Sequence, residues 1–205
     1  MMELTATRSS FPEERLLIRE LTHRISNEFA SVVNIISFAA AKTESNEARS
    51  ALTAVMDRLD GYVRVHRALQ IPDAGDIVDA TAYLRELCRS ISLSKLERKN
   101  IDLVFAERPL SLRSEQCWIL GMIVYELINN AARHAFDEAG GEIRVQIVRV
   151  GRLVECRVSD DGIGRVHSRP GRGLRIIEDL AASLQGHFEQ QRGPHGSASR
   201  VIFPA

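Results

Sequence analysis

The chain has no excess charge of either sign. Its 205 residues hold 27 Lys and Arg against 27 Asp and Glu, for a formal net charge of zero. No broad field is available to draw in nucleic acid or an anionic membrane, so neither is expected as a partner. Cysteine is scarce: Cys88, Cys117 and Cys156 stand far apart, and no C-x-x-C pair occurs. An odd, widely spaced set argues against a disulfide framework and a zinc site. Long apolar runs are lacking too. The opening segment MMELTATRSSFPEERLLIRE is charged and has no signal-peptide core. No stretch reaches the ~20 apolar residues of a membrane helix. The expectation is a cytoplasmic protein with no membrane insertion, whose signal reaches it inside the cell. Internal repeats and low-complexity segments are also missing.

What is present is ordinary globular material, 44% hydrophobic and 26% charged, enough for a core without staples. The length fits one large domain or two small ones.

Neither Gly nor Pro interrupts Glu14 to Asp60. Leu17, Leu21, Ile25, Phe29, Val32 and Ile36 recur at helical spacing, and Ala48, Leu52, Val55, Leu59, Tyr62, Val63 and Leu69 form a second stripe. The polar segment from Lys42 to Asn46 separates them as a turn. Two long helices with a short connection predict an antiparallel hairpin. Both stripes are too wide for one partner helix, so a four-helix bundle made by homodimerisation is the favoured solution. A monomeric hairpin packed on its own C-terminal domain is the alternative.

Ile71-Pro72-Asp73-Ala74-Gly75-Asp76 reads as the linker, dividing the chain into 1–72 and 73–205. Beyond it the pattern predicts a helix from Asp76 to Ser92 and strands at Ile101 to Ala106 and Leu110 to Leu112. A long helix from Ser114 to Phe136, with Ser114 as its N-cap, comes next. A hairpin then pairs Glu142 to Arg149 with Leu153 to Ser159. A glycine-rich loop leads to a helix from Leu174 to Leu184, closed by Gly186, and strands at His187 to Gln191 and Ser199 to Phe203. This order predicts an α+β sandwich, a mostly antiparallel sheet with helices on one face.

Three features carry chemistry. On the long helix, Glu126, Asn130 and His134 lie four apart and share one face, with Arg133 beside them. The Glu and Asn oxygens suit Mg²⁺, which keeps its other positions for water and phosphate. Arg133 and His134 are placed to meet phosphate oxygens. The second feature is Asp160-Asp161-Gly162-Ile163-Gly164 at the end of an alternating strand, where glycines let the backbone turn close to a ligand. A carboxylate there can accept from an amino group such as that of adenine. The third is Gly171-Arg172-Gly173-Leu174, running into a helix whose first N–H groups favour anionic phosphate.

The order of these segments resembles a known domain. ELINNAARHAF (126–136), DDGIG (160–164), GRGL (171–174) and GSASRVIFP (196–204) resemble the ATP-binding domain shared by gyrase-type ATPases and histidine kinases (GHKL-type). The first is similar to the N box, the second to the G1 box, the third to the G2 box. The short segment between the glycine boxes and the Phe-Pro ending resemble HWE-type and closely related short-lid sensor histidine kinases. ELTHRISNEFASVVNIIS (20–37) resembles their H box, which reads H-R-x-x-N, here His23, Arg24 and Asn27.

The resemblance implies a protein histidine kinase of a two-component system that uses ATP and Mg²⁺. His23 would be the phospho-acceptor, and the phosphoryl group would pass to an aspartate on a response-regulator receiver domain. Asn130 would hold Mg²⁺, with Glu126 near the metal, directly or through water, or acting as a base. Asp160 would bind the adenine amine. Gly162, Gly164, Gly171, Gly173 and Leu174 would shape the pocket and lid, with Arg133 and His134 lining it. No sensor domain is recognised ahead of the hairpin, so input is expected from a separate sensor protein. A second reading keeps His23 but treats the chain as a phosphotransfer protein with a degenerate kinase domain that does not bind ATP. A third, an ATPase or binding module without a relay, is disfavoured by the H-R-x-x-N segment.

Overall fold

The computed structural model describes residues 11–72, 77–163 and 172–205. The chain divides into two compact units, Met1–Leu59 and Asp60–Ala205.

The first unit contains α1 (Phe11–Lys42) and most of α2 (Asn46–Ala68). Thr43 to Ser45 connect them. Ser45 Oγ accepts from Ala48 N–H, satisfying an open donor at the start of α2. Arg49 reaches back to the end of α1, where its Nη2 donates to Thr43 O at 2.7 Å and its Nε to Ala40 O at 3.4 Å. The last carbonyls of α1 are thus held by a cation, where the helix dipole favours one. The apolar stripe stays largely uncovered within one chain: Leu17 is 65% exposed, Leu21 51% and Ile25 42%.

The second unit begins inside α2, ahead of Pro72. Gly61 sits against a turn of π-helix, Ser92–Leu96, so closely that a Cβ would stand 2.8 Å from Ser94 Cβ. Val65 is buried in the core.

A short strand β1 (Ile77–Asp79) pairs antiparallel with β3 (Ser111–Arg113). Helix α3 (Ala80–Ile91) starts later than the apolar spacing suggests, because the Asp79 carboxylate caps it by accepting from Ala82 N–H at 2.9 Å. Beyond the π turn lie a 3₁₀ turn (Glu97–Lys99) and β2 (Ile101–Ala106). Helix α4 runs from Ser114 to His134. Its N-cap is Arg113 rather than Ser114: the Arg113 N–H donates to Gln116 Oε1, while Ser114 Oγ donates to Pro72 O.

Strands β4 (Gly141–Val150) and β5 (Leu153–Asp160) form the expected hairpin, followed by α5 (Arg172–Ser183), β6 (His187–Gly193) and β7 (Gly196–Pro204). Gln185, in the left-handed region at φ 55°, ends α5, and Gly186 N–H closes back on Ala181 O.

Five strands form one sheet in the order β2-β4-β5-β7-β6. Only β2 and β4 are parallel, which requires the crossover that α4 supplies. Alternation sorts the two faces. Ile143, Val145 and Ile147 on β4, Val154, Cys156 and Val158 on β5, and Val201 and Phe203 on β7 are buried. Their neighbours Arg144, Gln146 and Arg157 are exposed. The buried face is covered by Leu84, Leu87 and Ile91 of α3, Leu120, Ile123, Leu127 and Ile128 of α4, and Ile177 and Ala181 of α5. Each fully buried Leu or Ile contributes about 1.5–3 kcal/mol. The result is the α+β sandwich the sequence predicts.

Candidate active site

The glycine-rich end of β5 is built around Asp160. Its Oδ1 accepts from Gly162 N–H and Ser197 N–H, each at 3.2 Å, and its Oδ2 accepts from the Ser197 hydroxyl. The β5–β7 register, which sets Asp160 opposite Ser197, makes this inevitable. A carboxylate offers about four acceptor positions. Three protein donors fix its plane and leave capacity for an amino group. Asp161 does a different job: its Oδ1 accepts from Glu142 N–H at 2.7 Å and ties the loop to the start of β4.

Gly162 packs on the end of α4. A Cβ there would stand 2.2 Å from Ala135 O, and Ile163 N–H donates to that same carbonyl at 3.0 Å. The Asp160 strand end and the α4 C-terminus are therefore locked together.

On α4 the two adjacent asparagines part company. Asn129 is buried, and its Oδ1 accepts from Lys95 Nζ at 3.0 Å, while Tyr125 OH receives the same ammonium at 2.9 Å. Asn130 and Glu126 lie on another face and are partly exposed. Neither side chain has a hydrogen-bond partner among the described residues. A Cβ at Gly173 would stand 3.4 Å from Glu126 Oε2 and 3.5 Å from Asn130 Oδ1. The first turn of α5, with its open N–H groups, thus lies directly over these two oxygens. Arg133 and His134 are exposed in the last turn of α4, and Leu174 is partly buried. Gly164 and Gly171 lie outside the described residues, as does the segment between them.

The donor set fits Mg²⁺. Glu126 and Asn130 offer hard oxygens one helical turn apart. Among the described residues no group of three or more His, Cys, Asp or Glu side chains forms a metal cage. One or two protein oxygens with phosphate completing the shell is the arrangement Mg²⁺ favours. The three cysteines take no part: all are buried, and burial pushes each thiol up to about 12.

His23 is exposed on α1 in the other unit. Its Nδ1 lies 3.2 Å from Asn27 Nδ2, one turn on. The neighbouring Arg24 is turned away, with Nε on Glu20 Oε1 at 2.8 Å.

Sequence reasoning passed over Ser197 and Lys95. Ser197 precedes the stretch read as the last strand, and only its register opposite Asp160 marks it. Lys95 reads as a surface cation until the π turn brings it over α4.

These arrangements coincide with known families. A histidine kinase model matches residues 20–95, and a histidine kinase-like ATPase domain model matches residues 72–202. The chain belongs to the histidine kinase-like ATPase family, joined to a histidine kinase segment. The sensor histidine kinase PdtaS of Mycobacterium tuberculosis is 30% identical over 186 residues, covering 82% of this chain and 35% of that protein. The chain thus spans about a third of that relative's length. The histidine kinase domain of the Erythrobacter litoralis EL346 blue-light activated histidine kinase superposes with a TM-score of 0.62 at 19% identity, covering 85% of this chain and 95% of that one. Full-length ShkA in complex with AMPPNP superposes with a TM-score of 0.51 at 19% identity, over 91% of this chain and 46% of that one. No described helix is long and apolar enough to cross a membrane.

Proposed function

We propose that the protein is an ATP-dependent histidine kinase of a two-component system that phosphorylates its own His23 and passes the phosphoryl group to a receiver-domain aspartate. The observation that carries this reading is the placement of the α5 start over Glu126 and Asn130. A helix N-terminus set against two hard oxygens accommodates a polyphosphate and its counter-cation together. Asp160, with its remaining acceptor capacity, receives the adenine amine. Arg133 and His134 stand at the edge of the same helix for outer phosphate oxygens. Mg²⁺, when bound, would neutralise phosphate charge; Asn130 would hold it, with Glu126 directly or through water. The chain shares its fold with ShkA, which was solved in complex with AMPPNP, and this supports a nucleotide as the ligand class.

The attacking group is the His23 imidazole, nucleophilic near neutral pH in its uncharged form. Phosphoryl transfer asks for alignment and charge neutralisation more than for a strong base. In functional terms residues 1–72 are the dimerisation and phosphotransfer hairpin and 73–205 the ATP-binding domain. The exposed stripe of Leu17, Leu21, Ile25 and Val32 is covered by a second copy in a four-helix bundle. The output partner is a response regulator.

Pure protein incubated with Mg-ATP labelled at the γ-phosphate provides the test. Acid-labile label that disappears in His23→Ala is expected. Absence of label together with absence of nucleotide binding by calorimetry would overturn the kinase reading. Label surviving in His23→Ala would remove His23 from the acceptor role.

A further inference from the structure

An imidazole attacks through one nitrogen only when the other carries the ring proton. In water the tautomer protonated at Nε2 predominates for histidine side chains. The nitrogen left to meet a substrate on His23 is Nε2, because Nδ1 is engaged from within the helix by Asn27 at 3.2 Å. The favoured aqueous tautomer is therefore the wrong one for attack. A hydrogen-bond partner at Nδ1 decides the matter, since it fixes which nitrogen is protonated.

The residue after His23 is Arg24, not a carboxylate, and its guanidinium is committed to Glu20. Among the described residues, Asn27 is the side chain that bonds the ring. A carboxamide can act in either sense. With Nδ2 toward the ring it donates to Nδ1 and keeps the proton on Nε2. A half-turn about its last bond brings Oδ1 to the same place, where it accepts from Nδ1–H and frees the Nε2 lone pair.

We propose that Asn27 is a positioning residue that selects the reactive tautomer of His23, its Oδ1 accepting from Nδ1–H so that the Nε2 lone pair faces the γ-phosphorus. This rests on the reading of His23 as the phospho-acceptor. In the step, the Nε2–P bond forms as the bond from the γ-phosphorus to the ADP oxygen breaks. ADP leaves with that electron pair. The ring, now bonded at both nitrogens, becomes a phospho-imidazolium whose positive charge offsets the charge lost from ATP. The proton stays on Nδ1, hydrogen-bonded to Asn27 Oδ1, until water takes it. A carboxamide suits this work better than a carboxylate in one respect: its half-turn lets one side chain serve the protonated ring and either neutral tautomer.

The test uses the full chain, ¹⁵N-labelled, with imidazole nitrogens read by long-range proton–nitrogen correlation and the His23 signals assigned by their loss in His23→Gln. The wild type is expected to hold more Nδ1–H tautomer than Asn27→Ala. Asn27→Asp, which keeps an acceptor at the same place, restores it. The initial rate of labelling from γ-labelled Mg-ATP falls about fivefold in Asn27→Ala, the population change that one exposed hydrogen bond can hold. The KM for ATP stays unchanged, and Asn27→Asp recovers the rate. Identical tautomer populations in wild type and Asn27→Ala overturn the proposal, as does a rate loss in Asn27→Ala that Asn27→Asp fails to recover. The tautomer comparison is independent of phosphorylation. A chain that never takes up label but shows the tautomer shift overturns the kinase reading and leaves the Asn27–His23 coupling standing.

Discussion

Ser197 holds Asp160 with both its backbone N–H, at 3.2 Å, and its hydroxyl. The carboxylate proposed to read adenine is therefore oriented by a neighbouring strand as well as by the Gly162 N–H of its own loop. Asp160→Ala is expected to abolish ADP binding in calorimetry while the chain stays folded and dimeric. Ser197→Ala is expected to weaken ADP about tenfold, matching ~1.5 kcal/mol for a hydrogen bond to a charged group. Unchanged affinity in Asp160→Ala would show that adenine is recognised elsewhere.

Gly162 and Gly173 make opposite predictions although both belong to glycine boxes. A methyl group at 162 would stand 2.2 Å from Ala135 O and 2.6 Å from Ala135 Cβ. Backbone must shift to admit it, and Gly162→Ala should cost about 1–3 kcal/mol. A methyl group at 173 meets only ordinary contacts, 3.4 Å from Glu126 Oε2. Gly173→Ala should leave melting within about 0.5 kcal/mol of wild type. It should nonetheless lower nucleotide affinity, because the methyl group occupies the approach to Glu126 and Asn130. Thermal melts and ADP titrations of the two variants separate folding from binding.

Lys95 binds Tyr125 OH and Asn129 Oδ1, and its ammonium lies 4.7 Å from the Tyr125 ring centroid and 5.5 Å from that of Tyr62. Lys95→Met strands the Asn129 oxygen, since Asn129 is 6% exposed. The expected loss in a urea titration is about 1–3 kcal/mol. Adding Asn129→Leu should cost much less than it does alone, because the oxygen in need of a donor is gone. Additive losses would mean that the two side chains are not coupled.

Burial lowers the pKa of His66 below its ordinary 6.5, and its Nδ1 is buried without a hydrogen-bond partner among the described residues. The folded state therefore takes up a proton less readily than the unfolded chain. Where the unfolded state binds more protons, stability rises with pH. His66 thus favours the fold above its unfolded pKa, and this contribution is lost as pH falls below about 6.5 through the lower folded value. His66→Gln should flatten the fall in melting temperature of this unit as pH drops below about 6.5. An unaltered slope would assign the acid sensitivity to other groups.

The sequence revealed most of the sandwich because its strands alternate cleanly and α4 is long and apolar. The alternation over Glu142 to Arg149 and Leu153 to Ser159 marks strands within a residue or two of those observed. The errors have local causes. Asp79 begins α3 only because its carboxylate finds the Ala82 N–H, a preference invisible in apolar spacing. The π turn at Ser92–Leu96 has no composition signal, yet it delivers Lys95 to Asn129. At the site, the spacing of Glu126 and Asn130 revealed their common face. The buried role of Asn129 needed the packing of Lys95, and the role of Ser197 needed the β5–β7 register. Long-range pairings of this kind leave no trace in a short window of sequence.

The sheet order has a consequence for biosynthesis. β7 is the last strand in chain order, yet it lies inside the sheet, between β5 and β6. A ribosome that has released everything through β6 has still to deliver the strand that carries Ser197. Until then β5 and β6 each present an unpaired edge, and Asp160 lacks two of its three donors. A chain in which β7 has not yet paired is thus prone to edge pairing, and the site proposed for nucleotide is complete only once β7 enters the sheet.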